Sequence, residues 1–441
     1  MKCSDLAIKR LVLFFSMIFY AFSVHYAHTG YLADQHHVPF FEPGVFGFIE
    51  FAAVSLFIGI AVMIMPLRIS NVSSVFLIIL LCFLYLPVLV ISLGHSRLEM
   101  SQTLSMVIAS GISYFLINII SKVSHNANSL DVEQVIVLSR WLVALWGVAC
   151  VIFCYVFWEI MSFRGLDEIY LQREMGQASN RASGYLQIYF GYFLSVVLFA
   201  CGIYLKSKIY IIIGLIGCVL LYMVTAERTV FMLPLLVYAV HYAAMRPSSF
   251  VYIFSFFLIA SAAVFVSVEL FYRESPFFYD LGFYYLARVV AIPGVFYEQY
   301  YGFFNSVGFT NYSHVTVLSN IFSPDTYFQG DPFYPQLGKI VARDVHHINS
   351  NSNASFLATD GAAAFGFLGV LLISLLLSIY LLLLDYLSNG WPLAFIAPAI
   401  SPLAFVLTNG SVFTVLLSFG GLLWLLILIL FKAKKAKKQG N

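Results

Sequence analysis

The chain reads as an all-α polytopic membrane protein, with about twelve transmembrane helices and one large loop between the ninth and the tenth. Three observations predict this. Charged residues are only 10% of the 441 positions while hydrophobic residues are 61%, and the mean hydropathy is +0.91, far from a soluble globular composition. Apolar runs recur along the whole chain, many near the roughly 20 residues that let a helix satisfy its backbone across a hydrocarbon core. Basic residues sit between those runs in an alternating way that a single orientation explains.

The first run follows Lys2, Lys9 and Arg10 and reads LVLFFSMIFYAFSVHYA. It is longer than a signal-peptide core of about 7 to 15 residues and lacks a small-x-small cleavage site, so it is expected to stay as the first helix. Further runs follow at 46–66, 74–94, 102–121, 141–161, 185–205, 209–225, 229–245, 250–270, 362–386, 392–408 and 412–431. With twelve spans both termini lie on one side. If that side is the cytoplasm, the inner segments hold 14 of the 23 basic residues, including Arg68, Arg140, Arg246 and the five lysines of the tail KAKKAKK. Short outer segments such as 29–45 hold none, which favours this orientation.

The orientation puts the two longest loops, 162–184 and 271–361, on the outer face, and loops of that length are uncommon unless they do something. The first 34 residues of the second loop, FYRESPFFYDLGFYYLARVVAIPGVFYEQYYGFF, contain 14 Phe or Tyr. Disordered segments are poor in aromatics, so helix at the membrane interface is expected here. The rings form either an interfacial belt or a groove whose faces stack on sugars. No repeat and no soluble domain interrupts residues 1–441, which read as a single integral membrane domain.

Composition excludes several classes. Basic residues form no stripe outside the tail, so nucleic acid is not a partner. Cys82, Cys150, Cys154, Cys201 and Cys218 lie in apolar runs, which argues against disulfides and a zinc site. No Gly-rich nucleotide loop, Ser-His-Asp order or cysteine nucleophile is visible.

The candidate functional residues lie on the outer side. In TAERTVFMLP, Arg228 occupies a tight turn beside Glu227. A cation at a membrane edge needs a partner, and the planar guanidinium suits phosphate oxygens; the plainer reading pairs it with Glu227. Arg273 follows Glu269 by four residues, so an ion pair on a continuing helix competes with a binding role. Arg288, in YYLARVVAI, has no carboxylate at helical spacing and needs a partner from elsewhere. Arg173 and Arg181 stand among Arg164, Asp167, Glu168 and Glu174, where solvated ion pairs and contact with an anionic lipid carrier are both open readings.

The last stretch of the loop, HHINSNSNASFLATDGAAAFGFLG, gathers hydrogen-bonding groups just before the next apolar run. His346 or His347 has the ordinary basicity of a general base at neutral pH. Asn349, Asn351 and Asn353 alternate as side chains on one side of an extended segment would, each offering a donor and an acceptor to sugar hydroxyls. The plainer reading is a loop and helix cap, with Asp360 and Gly361 punctuating the entry. A divalent cation site from Asp344, His346 and His347 is disfavoured by the lack of clustered carboxylates.

These features together resemble the O-antigen polymerases, the Wzy family, which stands with the O-antigen ligases among GT-C type membrane glycosyltransferases. The resemblance lies in the twelve spans with both ends inside, the large loop after the ninth span, the outer arginine in AERTVF, Arg288, and the approach NSNASFLATDGAAAFGFLG. It implies an inner-membrane glycosyltransferase that moves a growing glycan between undecaprenyl diphosphate carriers on the periplasmic face, without metal or cofactor. Arg228, Arg288 and His347 would be catalytic. Arg273, Arg173, Arg181, His346, Asn349, Asn351, Asn353 and Asp360 would bind substrate. Its partners would be lipid-linked oligosaccharides and membrane lipid, with a chain-length regulator as a candidate. The related ligases carry a His-x-His-Asn element where this chain has His346-His347-Ile348-Asn349, a departure that argues against a ligase. A twelve-span flippase or transporter is the alternative from another class; repeat symmetry and broken helices would favour it.

Overall fold

The computed structural model describes residues 3–34, 46–95, 98–121, 132–163, 181–227 and 229–439. Among them there is no strand. The segment VSSVFLIILLCFLYLPVLVISLG is apolar on every face, so it can only be satisfied by burial all round. As helix Val72–Gly94 it occupies the middle of the molecule. Around it pack Asp5–Leu32, Met100–Ile120, Ile292–Val307, Leu357–Ser388 and Leu393–Val406. Val132–Phe157 and Lys208–Thr225 sit at the periphery with most of their apolar residues facing outward, Trp141, Val151, Tyr155 and Ile209 among them.

Among the described residues, eight helices are long and apolar enough to cross a membrane: Asp5–Leu32, Val72–Gly94, Met100–Ile120, Val132–Phe157, Ala182–Leu205, Lys208–Thr225, Phe250–Phe271 and Leu357–Ser388. Four shorter apolar helices, Phe48–Ile64, Thr229–Ala244, Leu393–Asn409 and Gly421–Phe431, fall on four of the other expected runs. Two runs depart from a continuous helix. The run at 412–431 divides into Val412–Leu417 and a helix from Gly421, with Gly420 at φ +88° between them. The helix from Leu357 breaks at Phe365 (φ −151°, ψ 26°) and Gly366 (φ 58°, ψ −130°).

The ends of the bundle are tied by polar groups that hydropathy cannot see. Arg10 donates through Nη1 to the carbonyls of Val62 and, at 2.9 Å, Met65, meeting the unsatisfied carbonyl end of Phe48–Ile64. Asp385, buried in Leu357–Ser388, accepts from the Ser73 amide at 3.0 Å and from Asn71 Nδ2 at 2.7 Å, capping the start of Val72–Gly94.

Between Phe250–Phe271 and Leu357–Ser388 the chain forms a folded cap. Pro276–Leu281, Gly282–Ala291 and Ile292–Val307 run on as one helical stretch, the middle part in π-helical turns. A second short helix spans Leu337–Asp344. Most of the rings of Ile292–Val307 belong to the core: Tyr297, Tyr300 and Phe304 are fully buried. Tyr300 donates to the Ser352 carbonyl at 2.9 Å, and the Tyr301 hydroxyl lies 2.7 Å from Ser105 Oγ. These rings therefore join the cap to the bundle rather than forming a belt, because each apolar ring is packed and each polar tip finds a partner.

Candidate functional site

The break in the helix after Leu357 organises one side of the cap. A non-helical turn at Phe365 and Gly366 frees carbonyls that an unbroken helix would use itself. Residues 310 and 311 take them: the Thr310 amide donates to Ala363 at 2.9 Å and the Asn311 amide to Ala364 at 3.1 Å. This docking carries His314 to Asp360, with Nε2 3.7 Å from Oδ1. The other carboxylate oxygen of Asp360 accepts from the Val412 amide at 2.5 Å, and His314 Nδ1 lies 2.7 Å from Thr310 Oγ1. Tyr312, Phe365 and Phe413 stand beside the pair, with ring centroids 5.5 and 6.0 Å from that of Tyr312.

A second cluster lies at the other end of Ile292–Val307. His346 is buried against Phe296, with Nδ1 2.7 Å from Ser352 Oγ and Nε2 2.7 Å from Gln299 Oε1. Burial, with a smaller contribution from His347, pushes its pKa down to about 4. Next to it Arg343 grips two carboxylates, with Nη2 2.6 Å from Asp331 and Nε 2.5 Å from Asp344. Arg343 holds the Asp344 carboxyl below its ordinary value.

The structure separates the residues that the sequence groups together. His346 is enclosed, whereas His347 is exposed in a left-handed conformation at φ 57°. Asn349, Asn351 and Asn353 are all exposed, and between the last two Ser352 turns inward, as alternation requires. Asp344 is committed to Arg343 and Tyr327, and His346 to Gln299 and Ser352, so the conceivable cation trio is not assembled. Arg288 is exposed on the π-helical segment, its guanidinium carbon 5.0 Å from the Phe283 ring centroid. Arg273 is corrected in its partner: it pairs with Asp34 at 2.7 Å, while Glu269 accepts from the Tyr31 amide at 2.6 Å. Gly30 lies against the Glu269 carboxylate, where a Cβ would come within 1.8 Å of Oε1. Asp360 is fully buried in the helix entry.

Arg228 and Arg173 lie outside the described residues, as does most of the 162–184 loop. Arg181 opens the helix Arg181–Ile188. Glu227, next to Arg228, accepts from Tyr192 at 2.6 Å. Tyr192 in turn meets Phe419 edge to face at 5.2 Å. The short helix Val412–Leu417 thus has Asp360 at one end and the Glu227 neighbourhood beyond the other.

The sequence reading passed over His314, Arg343, Asp331 and Gln299. For His314 a signal existed, since an isolated histidine in the aromatic, polar loop FTNYSHV has no apolar face to fill. Its carboxylate partner lies 46 residues away, beyond any local pattern. Among the described residues no group of three or more His, Cys, Asp or Glu gathers to hold a metal ion. Comparison with protein-family models, with curated proteins and with solved structures finds no match for this chain.

Proposed function

We propose that this chain is an O-antigen repeat-unit polymerase of the Wzy type, a metal-independent glycosyltransferase of the bacterial inner membrane. In this reading twelve helices cross the membrane, both termini are cytoplasmic and the cap faces the periplasm. The growing glycan on undecaprenyl diphosphate is the donor, and the next lipid-linked repeat unit is the acceptor. The observation that carries the reading is the cap itself. Residues 272–356 lie between two helices of bilayer length and expose Arg288, Asn349, Asn351 and Asn353, with Arg273 at their start. Such side chains offer cations for a diphosphate and amides for sugar hydroxyls. Departure of the diphosphate develops negative charge, which fixed arginines stabilise. Arg228, Arg288 and His347 would then act on the reacting groups, with Arg173, Arg181 and Arg273 nearer the carriers, and a chain-length regulator is a candidate partner.

A specific observation favours a second reading, a flippase or transporter of lipid-linked oligosaccharides. Two apolar runs are broken, at Phe365–Gly366 and at Gly420, and a buried His–Asp pair lies between the pieces. Discontinuous helices with ionisable groups are habitual in carriers. An O-antigen ligase is the third reading and differs in its acceptor, the lipid A core.

A lipopolysaccharide gel of a strain lacking the gene separates these. A polymerase leaves core bearing one repeat, restored to a ladder by the plasmid-borne gene. Core with no repeat at all sinks the polymerase reading in favour of the flippase or ligase. Arg288→Ala and Arg228→Ala are each expected to abolish the ladder while the protein stays in the membrane.

A further inference from the structure

Pro398 lies inside the helix Leu393–Val406 and has no N–H, so the carbonyl of Ala394, four residues earlier, loses its helical donor. His241, in the last turn of Thr229–Ala244, takes that place, with Nδ1 2.7 Å from the Ala394 oxygen. A carbonyl only accepts, so the hydrogen of this contact is on Nδ1. Nε2 is the ring atom left for a ligand, and among the described residues it has no hydrogen-bond partner.

Tyr238, His241, Tyr242 and Met245 recur at intervals of three and four, which puts them on one face at the end of this helix. With Ile203 of the neighbouring helix Ala182–Leu205 and with Arg246, they border an open cleft of about 420 Å³. None of its lining residues is a carboxylate. Arg246 is exposed just beyond the helix end, its guanidinium carbon 3.7 Å from the centroid of the Tyr242 ring. Contact with a ring engages the cation without spending its N–H donors. Among the described residues no carboxylate pairs with Arg246. Lys206 and Lys208, both exposed, stand in the turn after Ile203 and add to the positive charge of this end.

The wall of the cleft continues along the helix as an apolar stripe. Phe231, Leu235 and Tyr238 are exposed at helical spacing, and in a chain that crosses a membrane such a face meets lipid. We propose that the cleft binds the phosphate of an anionic phospholipid, held by Arg246 and His241, with an acyl chain along Phe231, Leu235 and Tyr238. The guanidinium fork takes two phosphate oxygens at once, and tyrosines are at home at the level of the headgroups. Basic pockets between membrane helices take such headgroups. The stripe separates a lipid from a free phosphate, which would use the cations alone. Phe250–Phe271 runs from this end of the bundle to the cap, 22 residues or about 33 Å away. The lipid site is therefore remote from the residues proposed for glycan transfer and independent of that reading.

The test is native mass spectrometry of the purified full-length protein in detergent, titrated with dioleoylphosphatidylglycerol. Dioleoylphosphatidylcholine serves as the zwitterionic comparison and inorganic phosphate as the competing free anion. The protein should retain phosphatidylglycerol in preference to phosphatidylcholine. Arg246→Gln should weaken that binding about tenfold, the loss of a charged hydrogen bond. Tyr242→Leu keeps the charge but removes the ring that seats it, and should weaken binding about threefold. Lys208→Gln, which removes a cation of the same end outside the cleft, should have a far smaller effect. Melting of each lipid-free variant checks that it is folded; if Arg246→Gln is not, the contrast between Tyr242→Leu and Lys208→Gln decides. Equal retention of the two lipids, wild-type affinity in folded Arg246→Gln, or equal losses in Arg246→Gln and Lys208→Gln each overturn the site. Inorganic phosphate that displaces the lipid on equal terms overturns the lipid as its ligand.

Discussion

His346 shows how a buried hydrogen-bonded imidazole couples the cap to pH. Its folded pKa is pushed down to about 4 from an ordinary 6.5, so between those values the unfolded chain binds a proton that the folded cap refuses. Stability from this group is therefore complete above pH 6.5 and is lost as the pH falls toward 4. The thermal midpoint of the purified protein should drop through that window, and the drop should flatten in His346→Gln. Asp344 acts separately: its folded pKa is depressed, so its contribution persists above its unfolded value of 3.8 and disappears only at lower pH. Arg343 holds two carboxylates in a fork that lysine cannot copy. Arg343→Ala is expected to cost the cap about 1–3 kcal/mol by leaving the Asp331 carboxylate without its counter-ion, and Arg343→Lys should recover little of it, as protease resistance of residues 325–347 would report. These partners have no sequence signature, because Asp331 and Gln299 meet their cations and imidazole only through the fold.

At the scale of elements, the break after Leu357 decides where the cap docks. Gly366 takes φ 58° with ψ −130°, a region that L side chains rarely enter. Three residues on, a Cβ at Gly369 would lie 2.1 Å from the Gly361 carbonyl oxygen, a backbone atom that cannot yield. Gly369→Ala should destabilise by about 1–3 kcal/mol, as overpacking does. At Gly147, where a Cβ meets nothing within 4 Å, alanine should be neutral or stabilise by up to about 1 kcal/mol. Melting curves of both variants in detergent check the contrast, and equal midpoints would remove the close approach as a determinant. The positions of most helices were legible, since a run of apolar residues near bilayer length has few other solutions. The two breaks were not, because AAAFGFLG and LLSFGGLL are as apolar as the helices around them. Hydropathy measures transfer from water and carries no information about φ.

For the whole molecule, the orientation drawn from charge makes a prediction that side chains alone cannot check. Ser319 is exposed in the cap, and Ala436 lies in the basic tail. An impermeant maleimide should label Ser319→Cys in intact spheroplasts, and Ala436→Cys only after the membrane is opened. The native cysteines described are buried or half-buried, so the parent protein supplies the background. The reverse pattern would invert the chain and take the cap away from the outer face.

The sequence by itself determined the membrane class and the helical architecture, because these follow from composition and run length, each a sum over many residues. It also singled out the arginines and the asparagine row, which polarity in an apolar chain makes conspicuous. Tertiary structure alone decided that His346 is sealed, that Arg273 meets Asp34, and that His314 faces Asp360. Each of those outcomes depends on a partner dozens or hundreds of residues away, brought close by helix breaks and packing. A pairing set by distance in space leaves no period or spacing in the chain to be read.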